Sequence, residues 1–143
     1  MTVESILKSK GRRVYTVRPN QALIEALDML GEHRIGVVLV MEGSNLIGVL
    51  SERDIVAGLH RHRTAALTQT VKMFMSSPVV TCGLKDKIKD LIEVMSTRRI
   101  RHLPVVEGDT VIGMISVGDL IKQRMSQNQM EIAVLRDYAI AMR

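Results

Sequence analysis

Aromatic residues make up only 2% of the 143-residue chain: two Tyr, one Phe and no Trp. A nucleic-acid surface that stacks successive bases needs several aromatic platforms, and Tyr15, Phe74 and Tyr138 are too few to build one. With Cys82 as the sole cysteine, an internal disulfide framework and a cysteine-based metal site within one chain are both excluded. No apolar run approaches the roughly 18 to 20 residues of a membrane span. The N-terminal stretch MTVESILKSKGRRVYTVRPN lacks the apolar centre and small-residue cleavage site of a signal peptide. Together these absences predict a soluble, cytoplasmic protein with no membrane association and no bound metal. The chain does have 46% apolar residues, ten of its residues being Met, and 20 Lys and Arg against 15 Asp and Glu, which leave a net charge of +5. That excess favours anionic partners, whether nucleic acid or a small phosphate compound.

The dominant pattern is internal repetition. Sliding the chain by 65 positions lays Val14 to Ile55 on Val79 to Leu120 without a gap. Thr16 then meets Thr81, Ile35 meets Ile100, Gly43 meets Gly108, Ile47 and Gly48 meet Ile112 and Gly113, Ser51 meets Ser116, and Asp54 meets Asp119. A weaker echo at a shift of 68 relates Val3, Ile6 and Leu7 to Val71, Phe74 and Met75. Within each copy an extended start (Tyr15 to Val17; Val80 to Cys82) precedes an amphipathic helix. Its stripe is Leu23, Ala26, Leu27 and Leu30, or Ile88, Leu91, Ile92 and Met95, at i, i+3, i+4, i+7. A β-branched run, Ile35 to Met41 or Ile100 to Val106, reads as a buried strand. Gly43 or Gly108 marks a turn into a second run, Leu46 to Leu50 or Val111 to Ile115, after which Ser51 or Ser116 opens another helix. The predicted fold is therefore α/β (α+β): two pseudo-symmetric β-α-β-β-α units, each too small to be stable alone, burying one shared core. The predicted divisions are residues 3–60, a connector at 61–70, residues 71–124, and a helical tail at 125–143. The apolar side of that tail, with Ile132, Leu135, Tyr138 and Met142, is expected to face core or a dimer contact.

Each unit ends in the same motif, Gly48-Val-Leu-Ser51-Glu-Arg-Asp54 and Gly113-Met-Ile-Ser116-Val-Gly-Asp119. On its own, Ser-x-x-Asp ahead of an apolar helix is an ordinary capping box. The two copies in register, each behind the same helix and hairpin, together with Arg101-His-Leu-Pro-Val105, resemble a tandem pair of cystathionine β-synthase (CBS) domains, a Bateman module. The resemblance spans about Val3 to Arg124.

It implies a non-catalytic regulatory module that senses cellular energy or redox state by binding an adenosine compound in clefts between the repeats. AMP is the leading ligand, with ATP, ADP, NAD or NADH and S-adenosylmethionine as others. It also implies a homodimer of such modules and a separate regulated protein partner. Carried over by position, Ser51 and Ser116 contact phosphate, Asp54 and Asp119 hold ribose, and Thr16 and Thr81 border the base. A strand-to-helix junction suits an anion physically, because helix N-termini present N–H groups and a positive dipole end. Arg101 and His102 stand where related modules place phosphate-binding groups, whereas the first copy has Gly36 and Val37 there, with Arg34 and Arg53 nearby. The Ser116 and Asp119 pocket is therefore expected to prefer a charged nucleotide over the Ser51 and Asp54 pocket. Simpler readings stand beside these: Arg98, Arg99 and Arg101 as a solvated helix end, His60-Arg-His62-Arg63 as a solvated connector, and Cys82 as a small core residue. Of the other function classes, nucleic-acid binding rests on a pI of about 9.7 and on Lys8 to Arg13, and an enzyme finds no Cys/His or Ser/His pairing to support it.

Overall fold

The structure is a computed structural model describing residues 1–142; Arg143, the last position of the predicted tail, lies outside the described residues. The elements run α1 (Val3–Lys10), β1 (Thr16–Val17), α2 (Leu23–His33), β2 (Val37–Glu42), β3 (Asn45–Ser51) and α3 (Glu52–His62). A 3-10 turn (Arg63–Thr68) then leads to α4 (Val71–Phe74), α5 (Ile88–Arg98), β4 (His102–Glu107), β5 (Thr110–Ser116) and α6 (Val117–Ala141). The two hairpins are copies of one another. Val40 opposes Gly48 as Val105 opposes Gly113, and each ladder slips by one residue at the next position. Gly43 and Gly108 both turn the chain at φ 61°, where a residue with a Cβ is strained.

The extended starts differ. β1 pairs in parallel with β2, giving a three-stranded sheet in the order β1-β2-β3. The strand expected at Val80 to Cys82 is reduced to a single parallel bridge between Cys82 and Val105. Cys82 donates its N–H to the Pro104 carbonyl at 2.9 Å and accepts from Val106 N–H at 2.8 Å. The chain then turns, because Gly83 N–H goes to the Asp86 carboxylate at 2.8 Å and is lost to any ladder.

The two repeats exchange their leading helices. Val3, Ile6 and Leu7 of α1 are buried with Ile88, Leu91, Leu103, Val105, Ile115 and Leu120 of the second repeat. Val71 of α4 is buried with Leu23, Ala26, Val38, Val40 and Leu50 of the first, and Phe74 and Met75 pack on the same cluster. In place of one shared core there are thus two cores plus a small seam of Val37, Leu39 and Met114, where the sheets meet. Two buried glycines record how closely the exchanged segments approach. A Cβ on Gly48 would lie 2.5 Å from Met75 Sδ and 3.2 Å from the Ser76 carbonyl, and one on Gly113 would lie 3.0 Å from both Leu7 methyl carbons.

Of the two expectations for the tail, core or dimer contact, the first is not met. Leu120 is the only buried side chain of α6 among its described residues. Ile132, Leu135, Tyr138 and Met142 are 50 to 73% exposed, so they belong to no core of this chain. Among the described residues no helix is long and apolar enough to cross a membrane.

Gly48→Ala is expected to lower unfolding stability by about 1–3 kcal/mol through overpacking against the backbone that follows α4. Gly113→Ala meets only the ends of a leucine side chain and should cost less; paired urea denaturation curves check the order.

Candidate functional site between the repeats

Ser51 closes β3 and caps α3. Its hydroxyl accepts the Asp54 N–H at 3.3 Å, and Asp54 Oδ2 accepts the Ser51 N–H at 2.9 Å and hydroxyl at 3.0 Å. The second copy repeats this: Ser116 Oγ accepts the Asp119 N–H at 3.1 Å, and Asp119 Oδ2 accepts the Ser116 N–H at 2.8 Å. The capping box is therefore real at both sites. Its N–H groups are also largely committed, because Glu52 N–H donates to the Gly36 carbonyl at 3.0 Å and Val117 N–H to the Arg101 carbonyl at 2.8 Å. Two of the first three helical N–H groups at each motif are thus engaged, and an anion here would rely on the helix dipole and on cationic side chains.

Those side chains come from both repeats, Arg53 from the first and Arg99 and Arg101 from the second. A cleft of about 710 Å³ is lined on one side by Gly36, Val37, Val49, Ser51, Arg53 and Asp54. Ser76 and the stretch Arg99 to His102 also line it. The two sheets meet through Val37, Leu39 and Met114, and the residues that lead into β4 line the same cleft as the motif at the end of β3. Arg101 and His102 thus line the cleft of Ser51 and Asp54, while His102 also pairs with Ser116 across β4 and β5 and feels the Asp119 charge. Thr16 and Thr81 are exposed and are not among the residues lining it. Arg99 ends α5 in the left-handed conformation, φ 54°, at the mouth of this cleft. His60 and His62 sit in the last turn of α3, where the His62 ring meets Phe74 edge-on at 5.8 Å.

Two residues that the sequence pattern did not single out complete the motifs. Ser76 Oγ donates to Asp54 Oδ1 at 2.9 Å, and the Ser76 and Val49 backbones exchange hydrogen bonds of 2.8 and 3.0 Å. At the second motif Lys10 Nζ donates to Asp119 Oδ2 at 2.6 Å and to the Met114 carbonyl at 3.0 Å. The weak echo of Val3, Ile6 and Leu7 in Val71, Phe74 and Met75 was the only signal for either, since both residues follow those segments.

Charge is organised around these contacts. Partial burial would push the Asp119 carboxyl up, but hydrogen bonds from Lys10 and Ser116 outweigh it and hold it below its ordinary range. His102 is held below its ordinary 6.5, first by burial and then by the Lys10 charge, against the opposing pull of Asp119 and Glu52. Its imidazole lies beside Gly36, with Cε1 3.5 Å from where a Cβ would stand. Burial, with Asp86 adding to it, pushes the Cys82 thiol up to about 12, which leaves no thiolate for redox chemistry near neutrality.

Paired βαββα repeats with a cleft between them define the class, a tandem-repeat module. The family model for the CBS domain matches twice, at residues 3–61 and 71–126, and the chain belongs to that family. It is 30% identical over 124 residues to the CBS domain-containing protein YhcV of Bacillus subtilis, covering 87% of this chain and 88% of that one. The crystal structure of the CBS-domain containing protein ATU1752 from Agrobacterium tumefaciens superposes with a TM-score of 0.84 at 37% identity, over 87% of this chain and 99% of that chain. The CBS domain pair of protein MJ0100, in complex with 5-methylthioadenosine and S-adenosyl-L-methionine, shares the fold with a TM-score of 0.79 at 22% identity, over 89% of this chain and 98% of that one.

The depressed His102 has a defined pH signature. Above 6.5 its imidazole is neutral in both folded and unfolded chains. Below 6.5 the unfolded chain takes up the proton first, so stability falls as pH drops toward the lower folded value. Urea midpoints at about pH 7.5 and about pH 5.5 should therefore differ more in the native sequence than in His102→Gln, with the NMR midpoint of His102 below 6.5.

Proposed function

We propose that this chain is a non-catalytic regulatory module that binds an adenine nucleotide in the cleft between its repeats and reports cellular energy or redox state to a protein partner in the cytoplasm. The observation that carries this reading is the make-up of the cleft. Asp54, fixed by Ser51 and Ser76, shares it with Arg53, Arg99 and Arg101. A carboxylate that already takes three hydrogen bonds keeps an acceptor site for a ribose hydroxyl, and guanidinium groups match phosphate in geometry and charge. The volume of about 710 Å³ lies within the range of small-molecule sites. Support also comes from the adenosine compounds bound by the MJ0100 domain pair. Three guanidinium groups against Glu52 and Asp54 favour a phosphorylated ligand over the sulfonium cation of S-adenosylmethionine. AMP is therefore the first ligand to test, followed by ADP, ATP and NAD or NADH. Asp54 holds ribose, Ser51 and the arginines take phosphate, and Gly36, Val37 and His102 form the floor.

A ligand at 100 times its dissociation constant stabilises the native state by about 2.7 kcal/mol. In a thermal-shift panel, AMP is expected to raise the melting temperature, and Asp54→Ala or Arg101→Ala to remove most of that rise, more than Asp119→Ala does. Absence of a shift with any adenosine compound would overturn the reading.

We propose further that the module is a homodimer in which the α6 arms of two copies pack together. Ile121, Met125, Asn128, Ile132, Leu135, Ala139 and Met142 follow alternating spacings of four and three, the seam of a coiled coil. In a parallel pair Glu131 of one copy falls opposite Arg136 of the other, so the surface is complementary in charge to itself. Light scattering is expected to give a dimer for the full chain and a monomer for Ile132→Glu/Leu135→Glu; a dimer in both would exclude the arm as the interface.

A further inference from the structure

We infer that Lys10 closes the second cleft, so that the chain offers one adenosine site where its duplication suggests two. The inference rests on the nucleotide reading of the first cleft and turns on what stands before each carboxylate. At the 65-residue shift Val49 matches Met114 and Asp54 matches Asp119. Before Asp54, Ser76 supplies a backbone N–H to the Val49 carbonyl and a hydroxyl to Oδ1. Before Asp119, the single ammonium of Lys10 supplies both contacts, one to the Met114 carbonyl at 3.0 Å and one to Asp119 Oδ2 at 2.6 Å.

The substitution changes the chemistry. The Ser76 hydroxyl adds no charge beside Asp54, whereas the Lys10 ammonium, 2.6 Å from Oδ2, pairs with the Asp119 carboxylate and must be displaced before a ribose hydroxyl can take its place on that oxygen. Lys10 is not loosely placed. It ends α1, whose Val3, Ile6 and Leu7 are buried in the second core, and Leu7 abuts Gly113 one residue before Met114. The pair is only partly exposed, 38% for the lysine side chain and 23% for the aspartate. Losing charge-assisted hydrogen bonds to ribose weakens binding roughly 10- to 100-fold. The second cleft is expected to be weaker than the first by that factor.

Isothermal titration of AMP into four full-length proteins tests this. The native chain should show one site, Asp54→Ala none, Lys10→Ala two, and Lys10→Ala/Asp54→Ala one. Two comparable sites in the native chain, or one in Lys10→Ala with none in the double variant, would overturn the closure and leave the nucleotide reading standing. No binding in any of the four would remove the nucleotide reading and the closure with it. A second readout needs no ligand: the Asp119 carboxyl, followed by carbon NMR, should titrate at higher pH in Lys10→Ala than in the native chain, and unchanged titration would overturn the closure.

Discussion

Everything in this molecule depends on the exchange of leading helices between the repeats. The two helices of a βαββα unit leave part of their own side of the sheet uncovered, at Gly48 in the first repeat and Gly113 in the second, and so small a unit is marginal with that gap open. The segment before each repeat is spent on the other: α1 closes the second core through Val3, Ile6 and Leu7, and α4 closes the first through Val71. The repeats are thereby tied through their cores as well as at their seam. The seam itself is thin, with Val37, Leu39 and Met114 its only fully committed members. A thin apolar seam leaves polar space beside it, and that space is the cleft.

The same exchange places the chemistry. Because α1 and α4 run to the opposite sheets, the residues just past their packed turns arrive beside the Ser-x-x-Asp motif of the other copy. Ser76 reaches Asp54, and Lys10 reaches Asp119. Gly48 and Gly113 are glycines because these segments pass so close that a methyl group would meet them. Packing and function are set by one geometric fact, and a change at either glycine acts on both.

The duplication, the helix stripes, the hairpins and the capped motifs were legible in the sequence because each is a local pattern with a fixed period. What was not legible is relational. No periodicity tells which sheet Val3 or Val71 covers, so the exchange and the contacts of Lys10 and Ser76 were missed. Register alone likewise does not tell which cleft Arg101 and His102 line. Those residues are near Ser116 in register, since His102 pairs directly with it across β4 and β5, yet the cleft that they line contains the motif of the other repeat. Cys82 was legible as a core residue from its apolar neighbours, while the shortening of its strand depended on the Gly83 to Asp86 hydrogen bond.

His102 shows how the two halves of such a module feel one another. Its ring stands beside Gly36 of the first repeat, and its charge state responds to Lys10, Asp119, Glu52 and Arg101, groups drawn from both motifs and from α1. A Cβ at position 36 would stand in van der Waals contact with that ring, and Gly36 is what the first copy carries at the position of Arg101 in the second. Burial first, and then the Lys10 charge, hold the imidazole below its ordinary range and favour its neutral form. Any anion entering the first cleft would offset the positive charges around His102 and favour its protonated form. Reciprocity then requires that protonation of His102 favour the anion, so the nucleotide reading proposed above entails a link between affinity and pH through this one ring.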